Sequence, residues 1–157
     1  MPLALNLAKN WLSASTVIFG MPDTIIEPID AFQQLLDYHR AQESDLTLGL
    51  FKTNNPTKFG MVDFDDQYNA TYIIDKPKTS HLEFMWGCAC WSPLFTDLMA
   101  AYLEENPYTG REILLGDVFI NAIESQLTVK ALPFYDGQYI DIGTADELDS
   151  ALKKFHL

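Results

Sequence analysis

The sequence is poor in positive charge, cysteine and histidine, and it has no long apolar run. Ten Lys+Arg stand against twenty-two Asp+Glu in 157 residues, a net charge of −12. Nucleic acid and anionic membrane surfaces would be repelled by such a chain as a whole, so neither is expected as a partner. An anionic ligand must then be met by a local basic cluster. No apolar stretch approaches the roughly 18 residues that a spanning helix needs. The first residues, Met1-Pro2-Leu3-Ala4-Leu5, put no basic region ahead of an apolar run, so the order of a signal peptide is missing. Cys88 and Cys90 lie one residue apart, poorly placed to bridge each other along one strand. Two ligands are too few for a metal site, and the pair reads as small apolar fillers facing a core. The expected compartment is cytoplasmic. His39, His81 and His156 have no paired spacing. The nearest glycines are six apart, Gly110 with Gly116 and Gly137 with Gly143, which excludes a Walker loop and a GxGxxG turn.

What is present is a globular balance, 48% apolar and 20% charged. With no linker, repeat or low-complexity stretch, residues 1–157 read as a single domain. Leu3, Leu7, Ala8, Trp11 and Leu12 share one face of a helix over Leu3–Leu12. Thr16–Phe19 is a short apolar strand ending in the turn Gly20-Met21-Pro22-Asp23. Glu27-Pro28-Ile29-Asp30 starts a helix that runs to about Gln42 and buries Phe32, Leu35, Leu36 and His39 or their neighbours. Strands follow at Leu46–Phe51, Gly60–Phe64, Ala70–Ile74 and Glu83–Trp91, the last with Trp86, Cys88 and Cys90 on one face. Helices over Pro93–Glu105 and Leu114–Ser125 precede strands at Leu127–Phe134 and Gln138–Ile140. Thr144 opens a last helix, with Glu147 completing a capping box. This order gives an α/β fold with a mixed sheet flanked by helices.

Three features carry chemistry. Asp23 follows an apolar strand, at the strand end where α/β sheets bind ligands; it either holds a divalent metal or caps the turn. Tyr139-Ile140-Asp141-Ile142-Gly143-Thr144 repeats the pattern of strand, acid, glycine and helix cap. Mg²⁺ is held by one or two carboxylates plus substrate phosphates, so Asp23 and Asp141 are a candidate pair. Third, Lys52, Lys58, Lys76 and Lys78 cluster in an acidic chain. Lys76, pinned between Asp75 and Pro77, either sets a point charge for a phosphate beside an acceptor for a sugar hydroxyl or is a surface lysine. Lys52 and Lys58 read as ordinary surface lysines.

In chain order these segments resemble the sugar-phosphate nucleotidyltransferases, the NDP-sugar pyrophosphorylases. Val17-Ile18-Phe19-Gly20-Met21-Pro22-Asp23-Thr24 is similar to the family strand that ends in Gly-Asp. Phe59-Gly60-Met61-Val62 is similar to its "(F/Y)-G-V-V", Ile73-Ile74-Asp75-Lys76-Pro77 to its "E-K-P", and Met85-Trp86-Gly87 to its sugar-contacting glycine strand. Arg111-Glu112-Ile113 with Gly116-Asp117 is similar to its "E…D" helix entry, and Tyr139-Ile140-Asp141-Ile142-Gly143-Thr144 to its "W-x-D-x-G-T". The resemblance implies an incomplete Rossmann-like nucleotidyltransferase fold. It implies the reaction of a sugar 1-phosphate with a nucleoside triphosphate, giving a nucleotide-sugar and pyrophosphate with Mg²⁺. Asp23, Lys76 and Asp141 would be catalytic, with Asp23 and Asp141 as metal ligands. Gly60, Asp75, Lys76, Gly87 and Tyr139 would bind substrate.

The departures are equally specific. The family's "GGxGTRL" loop and "K-P" segment, which cradle the triphosphate, have no counterpart here. Asp75 is one methylene shorter than the usual Glu, and Pro22 removes a backbone donor beside Asp23. The resemblance therefore covers the sugar- and metal-binding part of the domain. Transfer would be impaired or dependent on a partner; the alternatives are a non-catalytic module for a sugar phosphate or nucleotide-sugar, and a remnant. A nucleotide-sugar glycosyltransferase would want a D-x-D pair, and Asp63-Phe64-Asp65 falls in a turn. The shortened sheet is expected to leave an apolar edge for a partner chain or a homodimer.

Overall fold

The computed structural model describes residues 1–107 and 110–155. His156 lies outside the described residues. Two short helices, α1 (Pro2–Leu7) and α2 (Lys9–Leu12), precede strands β1 (Val17–Gly20) and β2 (Thr24–Glu27). Then come α3 (Ala31–Ala41), β3 (Leu46–Lys52), β4 (Gly60–Phe64), β5 (Ala70–Asp75) and β6 (Phe84–Trp91). The chain closes with α4 (Pro93–Glu105), α5 (Leu115–Glu124), β7 (Val129–Phe134), β8 (Gln138–Asp141) and α6 (Ala145–Phe155).

The main sheet runs β5-β4-β6-β3-β7, with β1 alongside the C-terminal half of β6. β3 and β7 are parallel and the other pairs antiparallel, so the sheet is mixed, as expected. Residues on β3 alternate between two cores. Leu46, Leu48 and Leu50 face α4 and α5 through Phe95, Met99 and Phe119, whereas Phe51 joins Leu35, Cys88 and Phe134 on the α3 side. A second ladder, β2 with β8, stands apart from the main sheet.

Three expectations are corrected. The helix expected over Leu3–Leu12 breaks at Ala8, and much of its apolar face is open: Leu3 is 53% exposed, Leu7 89% and Trp11 84%. Periodicity finds an apolar stripe, but only a facing element can bury it. Pro28 does not open a helix. It follows strand β2, which the sequence reading missed, and α3 begins three residues later at Ala31. Leu35 and His39 are buried in α3 as expected, while Phe32 is partly exposed. On β6, Gly49 pairs with Cys88 and Leu50 with Trp86, so Gly87 is an extra, bulged residue. The bulge inverts the alternation, and Trp86 packs with Phe119 on the face opposite Cys88 and Cys90.

Candidate active site

The β2–β8 ladder brings the two candidate metal ligands together. Thr24 pairs with Asp141, and the Asp23 carbonyl extends the ladder by accepting the Ile142 N–H at 2.9 Å. Gly143 donates its N–H to Asp141 Oδ1 at 2.8 Å. A Cβ at Gly143 would lie 3.0 Å from Asp23 Oδ2 and 3.1 Å from Asp141 Oδ1, so the carboxylates converge where only glycine leaves room. Two converging carboxylates, open to further oxygen ligands, fit Mg²⁺ completed by water and phosphate. No cluster of three or more His, Cys, Asp or Glu exists among the described residues, so the pair could not cage an ion alone.

A cavity of about 200 Å³ has Phe59, Gly60, Asp75, Lys76, Trp86 and Tyr139 in its walls; Asp23 and Asp141 do not line it, and Met21 and Tyr139, each two residues from one of them, connect it to the pair. Gly60 opens β4 and faces Asp75 across the β4–β5 ladder. Lys76 leaves β5 at φ +44°, a conformation that costs a non-glycine residue about 1–2 kcal/mol. Its N–H donates to the Phe59 carbonyl at 2.9 Å, which pins the turn. Lys76 makes no salt bridge among the described residues, which leaves its ammonium available. Burial raises the Asp75 carboxyl above its ordinary range, a shift that Lys76 opposes and Asp117 reinforces. Burial and the nearby Asp141 push the Tyr139 hydroxyl up to about 12, so it stays protonated at neutral pH. Tyr139 thus joins the two halves of the site, its ring in the cavity wall and its strand β8 leading directly to Asp141.

Aromatic rings fill the space beside two of the expected glycines. A Cβ at Gly60 would collide with Trp86 Nε1, and one at Gly87 would sit 2.5 Å from Tyr139 Cδ2 and 2.8 Å from Phe51 Cδ2. Lys58, dismissed from the sequence as a surface lysine, lines the cavity and bonds Glu147 Oε1 at 2.6 Å. Half of the expected capping box forms: the Glu147 N–H donates to Thr144 Oγ1 at 3.3 Å, while the Glu147 carboxylate accepts the Thr144 hydroxyl at 2.8 Å rather than its N–H, so one carboxylate ties the cavity rim to α6. Lys52 sits over the Phe84 ring instead. Trp86, Leu114 and Leu115 were missed as cavity residues. Apolar residues in a strand or at a helix start give no sequence signal that separates wall from core. Asp65 of the D-x-D pair accepts from the N–H groups of Gln67 and Asn69 and builds the β4–β5 turn.

A family model described as nucleotidyl transferase matches residues 3–156. No curated protein matches the sequence. Among solved structures, a Bacillus anthracis protein described as a glucose-1-phosphate thymidylyltransferase, in complex with sucrose, superposes with a TM-score of 0.81 at 17% identity. That match covers 98% of this chain and 60% of the other. UTP-bound UGPase from Acinetobacter baumannii gives 0.77 at 17% identity, covering 98% and 55%. HddC from Yersinia pseudotuberculosis gives 0.68 at 20% identity, covering 99% and 62%. At these identities the likeness is one of fold, and the chain spans about 60% of the length of these structures.

Proposed function

The chain belongs to the nucleotidyl transferase family, and from that premise we propose that it binds a sugar 1-phosphate with Mg²⁺ and supports nucleotidyl transfer only together with a triphosphate-binding loop that residues 1–157 do not contain. The observation that carries this reading is the convergence of Asp23 and Asp141 across Gly143, joined through Tyr139 to a cavity that holds Asp75 and a Lys76 with no salt bridge among the described residues. Residues 1–157 act as the sugar- and metal-binding part of the family domain. Asp23 and Asp141 hold Mg²⁺, which supplies charge neutralisation on the phosphate oxygens. The Lys76 ammonium takes the sugar phosphate as a point charge. The Asp75 carboxylate accepts from sugar hydroxyls, and the rings of Tyr139 and Phe59 flank the sugar body. Gly60 and Gly87 serve the cavity by letting Trp86 and Tyr139 close on the strands.

That dependence is supported by residues 1–157, which have no Gly-rich triphosphate loop. Losing even one preorganised donor costs about 10²–10³-fold in rate. The covering polypeptide, or a second copy, docks on β1, whose outer edge has no strand among the described residues. The same incompleteness favours a second reading, a non-catalytic module for a sugar phosphate or nucleotide-sugar.

The test is pyrophosphate release by the purified chain with Mg²⁺, glucose 1-phosphate and each nucleoside triphosphate, alongside Asp23→Asn. Release that the substitution abolishes would establish a working site and refute the dependence on a further loop. Silence in both, with Mg²⁺-dependent binding of a sugar phosphate by calorimetry, is the expected outcome, and silence that persists when a relative's triphosphate-loop segment is added would favour the binding module. No binding at all would refute both readings.

A further inference from the structure

The start of α5 brings to the cavity hydrogen-bond donors that the chain itself leaves without acceptors. Leu114, Leu115 and Gly116 lie in the wall, and Gly116, having no side chain, lines it with backbone. The Asp117 N–H bonds to the Leu114 carbonyl at 3.1 Å and the Leu114 N–H to the Asp117 carboxylate at 2.8 Å. The N–H groups of Leu115 and Gly116, the first two of the helix, have no acceptor among the described residues. Trp86 Nε1–H is a third such donor, closed to solvent and unpartnered. It faces the Cβ position of Gly60, and Asp75 Oδ1 lies 3.4 Å from that same point. Asp75 Cβ lies 4.0 Å from the Cβ position of Gly116, so the carboxylate is next to both sets of donors. Buried donors left without acceptors are costly, which favours a ligand that carries an acceptor to this corner of the cavity.

The positive end of α5 favours an acceptor with a strong dipole or a negative charge. A carboxylate is opposed by Asp75 and by Asp117, whose charge reaches Asp75. A neutral amide carbonyl is not. It has two lone pairs for two N–H groups, and the amide's own N–H suits the Asp75 carboxylate. The methyl of an acetamido group would pack on Met85, Leu114 and the Trp86 ring, which stand in the same wall. A hydroxyl has no such apolar end. We propose that this corner of the cavity reads an acetamido substituent, its carbonyl on the Leu115 and Gly116 N–H groups and its N–H on Asp75, so that the preferred ligand is an N-acetylated amino-sugar 1-phosphate. The proposal rests on the reading of the chain as a sugar 1-phosphate binder. Lys76 follows Asp75 directly, so with the C1 phosphate on Lys76 the substituent at Asp75 is the one on the adjoining carbon, C2. Trp86 is a positioning residue: its N–H turns onto the second Asp75 oxygen and holds the carboxylate toward the amide.

The experiment is calorimetric titration of the whole chain, with Mg²⁺, using N-acetylglucosamine 1-phosphate and glucose 1-phosphate, with amide NMR spectra at each end point. The wild-type protein is expected to bind the acetylated ligand about tenfold to a hundredfold more tightly, the worth of one or two further hydrogen bonds and a buried methyl. The amide signals of Leu115 and Gly116 and the indole N–H signal of Trp86 should move with the acetylated ligand and less with glucose 1-phosphate. Leu115→Pro removes one donor at the first helical position, which accepts proline, behind a Leu114 already extended at ψ 157°. It should lower the preference about fivefold. Equal or tighter binding of glucose 1-phosphate by the wild-type chain would overturn the proposal and leave the sugar phosphate reading standing. A preference with unmoved Leu115 and Gly116 signals, or one unchanged in a folded Leu115→Pro, would overturn the placement at α5. An unmoved indole signal would overturn the role given to Trp86. Failure of both ligands to bind would overturn the underlying reading and the proposal with it. The wild-type titrations and spectra decide the matter even if the variant does not fold.

Discussion

At the scale of single residues, the site depends on positions where one atom more or one proton more has a defined effect. Gly143→Ala would place a methyl within about 3 Å of both candidate metal carboxylates. Gly143 is exposed, so stability should change by no more than about 0.5 kcal/mol. Mg²⁺-dependent affinity for a sugar phosphate should fall at least about tenfold, because the carboxylates must separate. Calorimetry with and without Mg²⁺ checks both. His39 belongs to stability rather than chemistry. It is 4% exposed, with Nδ1 2.9 Å from Thr47 Oγ1 and 3.1 Å from Ser44 Oγ. Burial lowers its pKa below 6.5; Arg40 acts the same way and Asp45 opposes. The unfolded chain therefore binds this proton more readily than the folded one. The stability that comes from keeping the ring neutral is complete above pH 6.5 and is lost as pH falls below that value toward the folded pKa. Urea midpoints should fall from pH 7.5 to 5.5 in the wild type and fall less in His39→Gln.

At the scale of elements, the β2–β8 ribbon is the device that builds the metal pair. Its four residue pairs fix the register that sets Thr24 against Asp141. Ile140→Pro removes a backbone donor from this ladder, and proline is poorly tolerated away from an edge or bulge. Metal-dependent binding should be lost, with fast amide exchange confined to β2 and β8. Protection in β3 and β6, which pair over seven positions at the centre of the main sheet, should persist. Loss of protection throughout would show that the ribbon also supports the sheet. The bulge at Gly87 acts in a similar way: one extra residue turns Trp86 toward Phe119 and the cavity wall while Cys88 and Cys90 stay in the α3-side core. Both thiols are pushed up by burial, to about 12 and about 11, in keeping with their reading as core fillers.

At the scale of the whole molecule, charge and apolar surface are segregated. Residues 1–22 carry a single charged side chain, Lys9, in a chain of net charge −12. They include the exposed stripe Leu3, Leu7 and Trp11 and the open edge of β1, with Ile18 41% exposed. Uncovered, such a face should associate, opposed by the repulsion of like-charged copies. Sedimentation velocity should show more association as ionic strength rises from 0.01 to 0.15 M, over which the screening length drops from about 30 to about 8 Å. Leu7→Lys with Trp11→Lys should suppress it at a cost within about 1 kcal/mol, since neither side chain is buried. A wild-type chain that stays monomeric at every salt concentration would count against this face as a docking surface.

The sequence by itself determined the α/β class, the central strands β3 to β7, helices α4 to α6 and the family, because these depend on local periodicity, capping residues and short motifs whose chemistry is carried by side-chain type. It also singled out Asp23, Asp75, Lys76, Tyr139 and Asp141 as candidates. It could not decide that the first helix would lie open, since burial requires a partner surface that lies elsewhere in the chain or outside it. Nor could it see β2, because Thr24–Glu27 becomes a strand only by pairing with β8, more than a hundred residues later. Only the tertiary structure brought Asp23 to Asp141, closed rings over Gly60 and Gly87, and turned Trp86 into the cavity wall. Each of these is a long-range contact, fixed by ladder register and by the packing of side chains from distant segments, and no local pattern records it.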